Sequence, residues 1–204
     1  GALMDLVRMS QSLTPSIGLV TAAVKAASLG ADLYHASAVL RIGQPSVHIA
    51  PLGAFRDAMP FEKLRDAMDA YAVEHDGPMR ALIVALGTVA EHTARLMWTQ
   101  NVLAAGGFAV TSEVGLDASS IAAAVKASGA IVVVFAGPDA LYTENVPALA
   151  GALSGNGAKA LALAGKPGDN AALYAACGVT HFLFAGADVR AALESIQDQL
   201  GVQS

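Results

Sequence analysis

The sequence predicts an α/β protein: a flavodoxin-like, doubly wound, five-stranded parallel sheet preceded by an N-terminal helical segment. Three observations carry the prediction. From residue 79 onward, short apolar runs alternate five times with helical stretches, the pattern of repeated βα units. The first, third and fourth runs are essentially continuous in apolar residues, as strands covered on both faces require. Glycines (Gly106-Gly107, Gly129, Gly155 and Gly178) fall where the helices must stop.

In chain order, residues 1–43 read as helical. Thr14-Pro15 is a helix-start pair, with Thr as N-cap and Pro at N1, and Gly30 is a natural stop. Between them IGLVTAAVKAAS is Ala-rich and amphipathic. Asp32 caps a second helix, DLYHASAVLRI, ended by Gly43. Residues 44–59 carry Pro45, Pro51 and Gly53 and no helical period, so they form a connector. Pro60 opens the helix PFEKLRDAMDAYAVEH, with Glu62 in its first turn. The expected units are therefore 1–43, 44–78 (connector and helix) and 79–204 (α/β domain).

Within the last unit the expected strands are RALIVAL (80–86), FAVTSEV (108–114), AIVVVFA (130–136), AKALALA (158–164) and THFLFAG (180–186). The helices between them are AEHTARLMWTQNVLAAG, ASSIAAAVKAS, ENVPALAGALSG, DNAALYAAC and DVRAALESIQDQL.

Composition narrows the function classes. The 204 residues are 54% apolar and 14% charged, well below the roughly 25% charged of an average domain, so part of the surface is expected to be covered. A net charge of −5 leaves no electrostatic footprint for nucleic acid. Lys25, Asp32 and Lys126 interrupt the longest apolar runs, so no membrane span is expected. Cys177 is the single cysteine, which fits a reducing cytoplasm. The start GALM has no basic region ahead of an apolar core, and a first residue of Gly predicts a piece of a longer polypeptide.

An open sheet binds its ligands beyond the carboxyl ends of its strands. Here those loops are Gly87 to Glu91, Gly137 to Tyr142, Gly165 to Asp169 and Gly186 to Asp188. A phospho-acceptor domain would need an Asp after strand three and a Lys after strand five, where the chain has Phe135-Ala136-Gly137 and Phe184-Ala185-Gly186. A dinucleotide loop would need several glycines, and only Gly87 and Thr88 are offered. No nucleophile elbow and no metal-ligand pair at helical spacing occurs.

The other conspicuous residues have plain readings. Trp98 packs a helix face or an interface, His35, His48 and His75 are structural or solvated, and His181 begins the last strand, at the end of the sheet that is wrong for chemistry. Lys166 is a loop lysine at the ligand end, able to meet a phosphate. Asp139 and Glu144 suit a helix start, and Asp117 with Ser119 forms a cap. Arg56, Arg65 and Arg95 are expected to hold the connector to the sheet domain.

RDAMPFEKLRDAMDAY (56–71), IVALGTVAEHTARLMWTQNVLAAGGFAV (83–110) and VVVFAGPDALYTENVPALAGAL (132–153) together resemble the methylmalonyl-CoA mutase family. Within it they are most similar to the small, non-catalytic subunit of the heterodimeric enzymes. The resemblance covers about residues 55–200 and implies a cobalamin-binding-type domain, with residues 1–43 as the tail of a barrel domain outside this chain. In cobalamin-binding members the first loop reads Asp-x-His-x-x-Gly, the His binding cobalt and the Asp orienting it. Laid from Gly87, these positions fall on Val89, Glu91 and Ala94. His92 lies one residue on, which on a helix turns a side chain by about 100°. The family's Ser after strand three meets Ala136 or Gly137, and its Gly-Gly pair after strand four keeps only Gly165.

The resemblance thus implies a vestigial site at Gly87, Thr88, Glu91, His92, Gly137 and Gly165, with no catalytic residue and no metal ligand. It implies no cofactor on this chain, adenosylcobalamin in the holoenzyme and the large catalytic subunit as partner. A corrinoid-binding module without histidine ligation is the second reading, and an independent enzyme the third.

Overall fold

The computed structural model describes residues 1–10, 17–40, 49–51, 53, 56–75 and 77–202. Thr14-Pro15, Gly43, Pro45 and His48 lie outside the described residues. The chain divides into two compact units, Gly1–Ala54 and Phe55–Ser204. The first contains α1 (Ala2–Ser10), α2 (Ile17–Ser28) and α3 (Leu33–Leu40). Helix α2 coincides with the Ala-rich amphipathic run. It ends ahead of Gly30, whose φ of 94° is costly for a residue with a Cβ.

The second unit opens with α4 (Met59–Glu74), where Pro60 sits in the first turn. There follow β1 (Arg80–Ala85), α5 (Val89–Ala105), β2 (Ala109–Val114), α6 (Ile121–Ser128), β3 (Val132–Ala136) and α7 (Asp139–Ala152). After β4 (Ala160–Leu163) come a 3₁₀ turn (Gly168–Asn170), α8 (Ala171–Ala176), β5 (Val179–Phe182) and α9 (Val189–Gln199). All strand pairs are parallel and the order is β2-β1-β3-β4-β5. This is the flavodoxin-like doubly wound order, with the strand sequence reversing direction at β1 and β3.

The two sheet faces carry two cores, because successive side chains of a strand point to opposite faces. Ala81, Ile83 and Val134 pack with Leu64 and Met68 of α4, Leu103 of α5, and Leu193 and Ile196 of α9. Leu82, Val84, Val133 and Phe135 pack with Ile121 and Val125 of α6, Val146 and Leu149 of α7, and Tyr174 of α8. Helix α4 therefore belongs to the α5/α9 layer. The Gly106-Gly107 stop has a packing reason as well as a capping one. A Cβ on Gly107 would lie 2.9 Å from Met68 Cβ, and one on Gly106 would lie 2.8 Å from Leu193 Cδ2.

Two details differ from the sequence reading. Helix α7 begins at Asp139, five residues before Glu144, because extended Pro138 (ψ 143°) serves as its N-cap and Pro147 is accommodated inside it. Strand β5 spans Val179–Phe182 and ends earlier than expected, although the Leu183 N–H still donates to the Leu163 carbonyl at 2.8 Å. Among the described residues no helix is long and apolar enough to cross a membrane.

Candidate functional site

The turn leaving β1 is held by its own backbone and by one carboxylate. Gly87 adopts φ 82°, and a Cβ there would lie 2.9 Å from Glu91 Oε2 and 3.1 Å from Leu141 Cδ1. Glu91 accepts hydrogen bonds from the Thr88 backbone N–H (2.8 Å) and the Thr88 hydroxyl (2.7 Å). Those two donors, the backbone one first, hold its carboxyl below the ordinary Glu range. Glu91 thus works as a helix cap. His92 is buried, and its Nδ1 lies 3.3 Å from the Gly87 carbonyl oxygen. A carbonyl only accepts, so the contact requires the Nδ1–H tautomer. Val89, at the start of α5, is 70% exposed.

Deeper in the same end of the sheet, the ends of β3 and β4 are joined by a phenol. The Tyr142 hydroxyl accepts from the Gly137 N–H at 2.9 Å and donates to the Ala164 carbonyl at 2.6 Å. Burial raises its pKa above the usual value of 10, so it keeps the proton it donates. Arg95 of α5 reaches the same point. Its Nη1 donates to the Gly137 carbonyl at 2.6 Å, to the Asp139 carboxylate at 2.5 Å and to Tyr142 Oη at 3.1 Å. Arg95 is therefore a residue of the sheet's carboxyl end, which corrects its expected role as a tie to the connector. Arg56 pairs locally with Glu62, at 2.6 Å.

Gly137 and Gly165 are both required by this packing. A Cβ on Gly137 would lie 2.7 Å from the Leu86 carbonyl oxygen, and one on Gly165 would lie 3.0 Å from the Tyr142 ring. Gly87, Thr88, Glu91 and His92 come together at the start of α5, while Gly137 and Gly165 flank Tyr142. Beside them remains a cleft of about 420 Å³, walled by Arg95, Trp98, Asp139, Gly165, Lys166 and Phe184.

The only imidazole in the turn faces a backbone carbonyl, no carboxylate stands at Val89, and the space between the β3 and β4 ends holds the Tyr142 phenol. Among the described residues no group of three His, Cys, Asp or Glu side chains could hold a metal ion.

The pairing of Arg95 with Tyr142 escaped the sequence reading. Tyr142 looks like an ordinary helix-start aromatic, and Arg95 lies 47 positions away from it, so nothing local pairs them. The buried Gln197 of α9 was not singled out at all. Its Nε2 donates to the carbonyls of Gly106 (2.8 Å) and Leu64 (3.3 Å), tying three helices together. His181 lies in β5 with its Nε2 2.7 Å from Gln199 Oε1.

Comparison with known proteins bears on this arrangement. Over 143 residues, 70% of its length, the chain is 38% identical to the methylmalonyl-CoA mutase small subunit of Streptomyces virginiae. Over 147 residues, 72% of its length, it is 33% identical to the probable methylmalonyl-CoA mutase small subunits of Mycobacterium bovis and Mycobacterium tuberculosis. These matches cover 22% and 24% of the relatives, so the chain spans about a quarter of their length. No family model matches. A cobalamin-binding protein from Desulfitobacterium hafniense, 15% identical, superposes with a TM-score of 0.47 over 97% of this chain and 96% of that one.

Proposed function

From the kinship of this chain with methylmalonyl-CoA mutase small subunits, we propose that it is a cobalamin-type α/β domain whose cofactor site has degenerated. In this reading residues 79–204 are that domain, residues 44–78 its connector and helix, and residues 1–43 the helical tail of a barrel domain. The chain contributes stability and assembly to an adenosylcobalamin-dependent, cytoplasmic isomerase that interconverts succinyl-CoA and methylmalonyl-CoA. Its partner is the large catalytic subunit, and it performs no chemistry and binds no corrinoid itself.

The observation that carries the proposal is the Tyr142 phenol bridging Gly137 and Ala164 with Arg95 alongside. Internal side chains fill the end of the sheet where a bound group would stand, and they satisfy its backbone polar groups without one. The low charged fraction, 14%, supports a surface partly covered by a partner. The test has two arms. Titration of the chain with adenosylcobalamin, followed by visible absorption and retention on filtration, is expected to show no spectral change and no retained corrinoid. Co-expression with the large subunit is expected to yield a stoichiometric complex. A base-off spectral shift at micromolar cofactor overturns the lost-site part, and failure to co-purify overturns the assembly part.

The cleft beside Arg95 favours one second reading: a corrinoid held by its nucleotide tail without histidine ligation. The same titration decides between them.

A further inference from the structure

We propose that Asn156 is a site of spontaneous covalent modification: its side-chain amide is lost to attack by the backbone nitrogen of Gly157, and the loss uncaps the end of α7. The loop between α7 and β4 leads into the amino end of a strand. It stands apart from the carboxyl-end cleft, so the proposal goes beyond the functional reading without resting on it.

Sequence and fold single out the same asparagine. Of the four in the chain, Asn101 and Asn145 lie inside α5 and α7, and Asn170 closes the 3₁₀ turn. Asn156 alone precedes a glycine and lies outside the helices and strands. Inside a helix the next backbone nitrogen is committed to a carbonyl one turn back. Gly157 has no such commitment. It is exposed, its N–H has no acceptor among the described residues, and nothing lies within 4 Å of the place a Cβ would take. Its φ of 91° is natural for a residue without a Cβ. The nitrogen is therefore open to water and unhindered beside the Asn156 side chain.

The chemistry balances with water alone. Hydroxide takes the Gly157 N–H proton, and the nitrogen forms a bond to Asn156 Cγ. The Cγ–Nδ2 bond breaks, and the departing nitrogen takes a proton from water and leaves as ammonia. Water then opens the cyclic imide. Cleavage at Cγ leaves an aspartyl residue, and cleavage at the backbone carbonyl carbon leaves an isoaspartyl residue whose chain runs through Cγ.

The same amide has a structural task, which gives the reaction its consequence. The last carbonyls of a helix need partners from outside it. Those of Ala150 and Gly151 accept from the Leu153 and Ser154 N–H groups, and that of Ala152 accepts from Asn156 Nδ2 at 2.8 Å. Modification removes this donor and sets a carboxylate at the negative end of the helix dipole.

The folded full chain is incubated in mildly alkaline buffer and digested with trypsin. The peptide 127–159 carries Asn145 and Asn156 together, so the helical asparagine is an internal control. An amide-to-carboxyl mass gain is expected at 156, as an aspartyl and isoaspartyl pair of peptides. Its rate is expected to exceed that at Asn145 by at least about tenfold, because α7 must open before Asn145 can react. Mildly acidic buffer is expected to slow it, since the Gly157 nitrogen must lose its proton. Asn156→Gln is expected to abolish the gain, because the larger ring closes far more slowly. Asn156→Asp, which reproduces one product, is expected to speed hydrogen exchange in the last turn of α7.

No gain at 156 over a period in which the guanidinium-unfolded chain reacts there overturns the proposal. So does an equal rate at Asn145, or a gain that survives in Asn156→Gln. Unaltered exchange in Asn156→Asp overturns the uncapping. None of these outcomes touches the corrinoid titration, so the functional reading stands or falls separately.

Discussion

Two buried backbone groups at the carboxyl ends of β3 and β4, the Gly137 N–H and the Ala164 carbonyl, meet the same phenol. Tyr142→Phe keeps the ring and removes both partners, which leaves a buried donor and a buried acceptor unsatisfied. The expected cost is about 1–3 kcal/mol, read as a lower urea midpoint with an unchanged slope; a variant within error of the parent would mean that the phenol is not the staple. Asp117 is the residue whose acid behaviour is most clearly set by its neighbours. The hydroxyls of Ser119 and Ser120 and then their backbone N–H groups donate to its carboxylate, which lowers its pKa from 3.8 to about 2. A folded-state pKa below the unfolded one means that the stabilisation is present above about pH 4 and is lost as pH falls towards 2. Denaturation midpoints of the parent and Asp117→Asn are therefore expected to converge over that window. A gap that stays constant from pH 5 to pH 2 would remove the linkage.

At the scale of elements, α5 and α4 depend on polar ties of different legibility. The tie on α5 could be read from the chain: Thr88 followed three residues later by Glu91 is a capping-box spacing. The structure puts the Glu91 carboxylate on the Thr88 N–H and hydroxyl. Glu91→Ala removes the N3 half of this capping box and is expected to lower the thermal midpoint and to raise hydrogen exchange in the first turn of α5. If Glu91 instead served a ligand, its removal would leave that exchange unaltered. The tie on α4 could not be read. Gln197 lies 133 positions from Leu64 and 91 from Gly106, yet its amide donates to both carbonyls, and only the finished packing of α9 against α4 brings them together. Gln197→Leu keeps the bulk and removes the donor, so faster exchange in α4 is expected, with about 1–3 kcal/mol lost. Periodicity reports which face of a helix is apolar, and it located every strand of the sheet and the helix after each one. It is silent about a polar side chain that crosses between elements. For that reason the Tyr142–Arg95 pair of the candidate site stayed hidden while the loop that contains Gly87 did not.

For the whole molecule, the order β2-β1-β3-β4-β5 was legible because five βα units with short connections admit few topologies. The sidedness of α4 was not, because it precedes the repeating pattern and its place beside α5 and α9 depends on Gly106 and Gly107 yielding room to Leu193 and Met68. Surface chemistry is the remaining property of the whole chain. Only 14% of residues are charged, and the pI is near 5.4. Ile17, Val20 and Val24, spaced for one face of α2, are 89%, 64% and 63% exposed. Net charge keeps such a surface dispersed, and the protection vanishes at the isoelectric point, where exposed apolar area drives association. Light scattering of the chain is therefore expected to rise sharply as pH approaches 5.4 and to fall again on either side. Val20→Gln with Val24→Gln leaves the charge balance untouched and removes apolar area from that face. The double variant is expected to scatter less at the same pH with unchanged helical circular dichroism. Equal scattering by parent and variant would place the association elsewhere on the molecule and remove the α2 face as its cause.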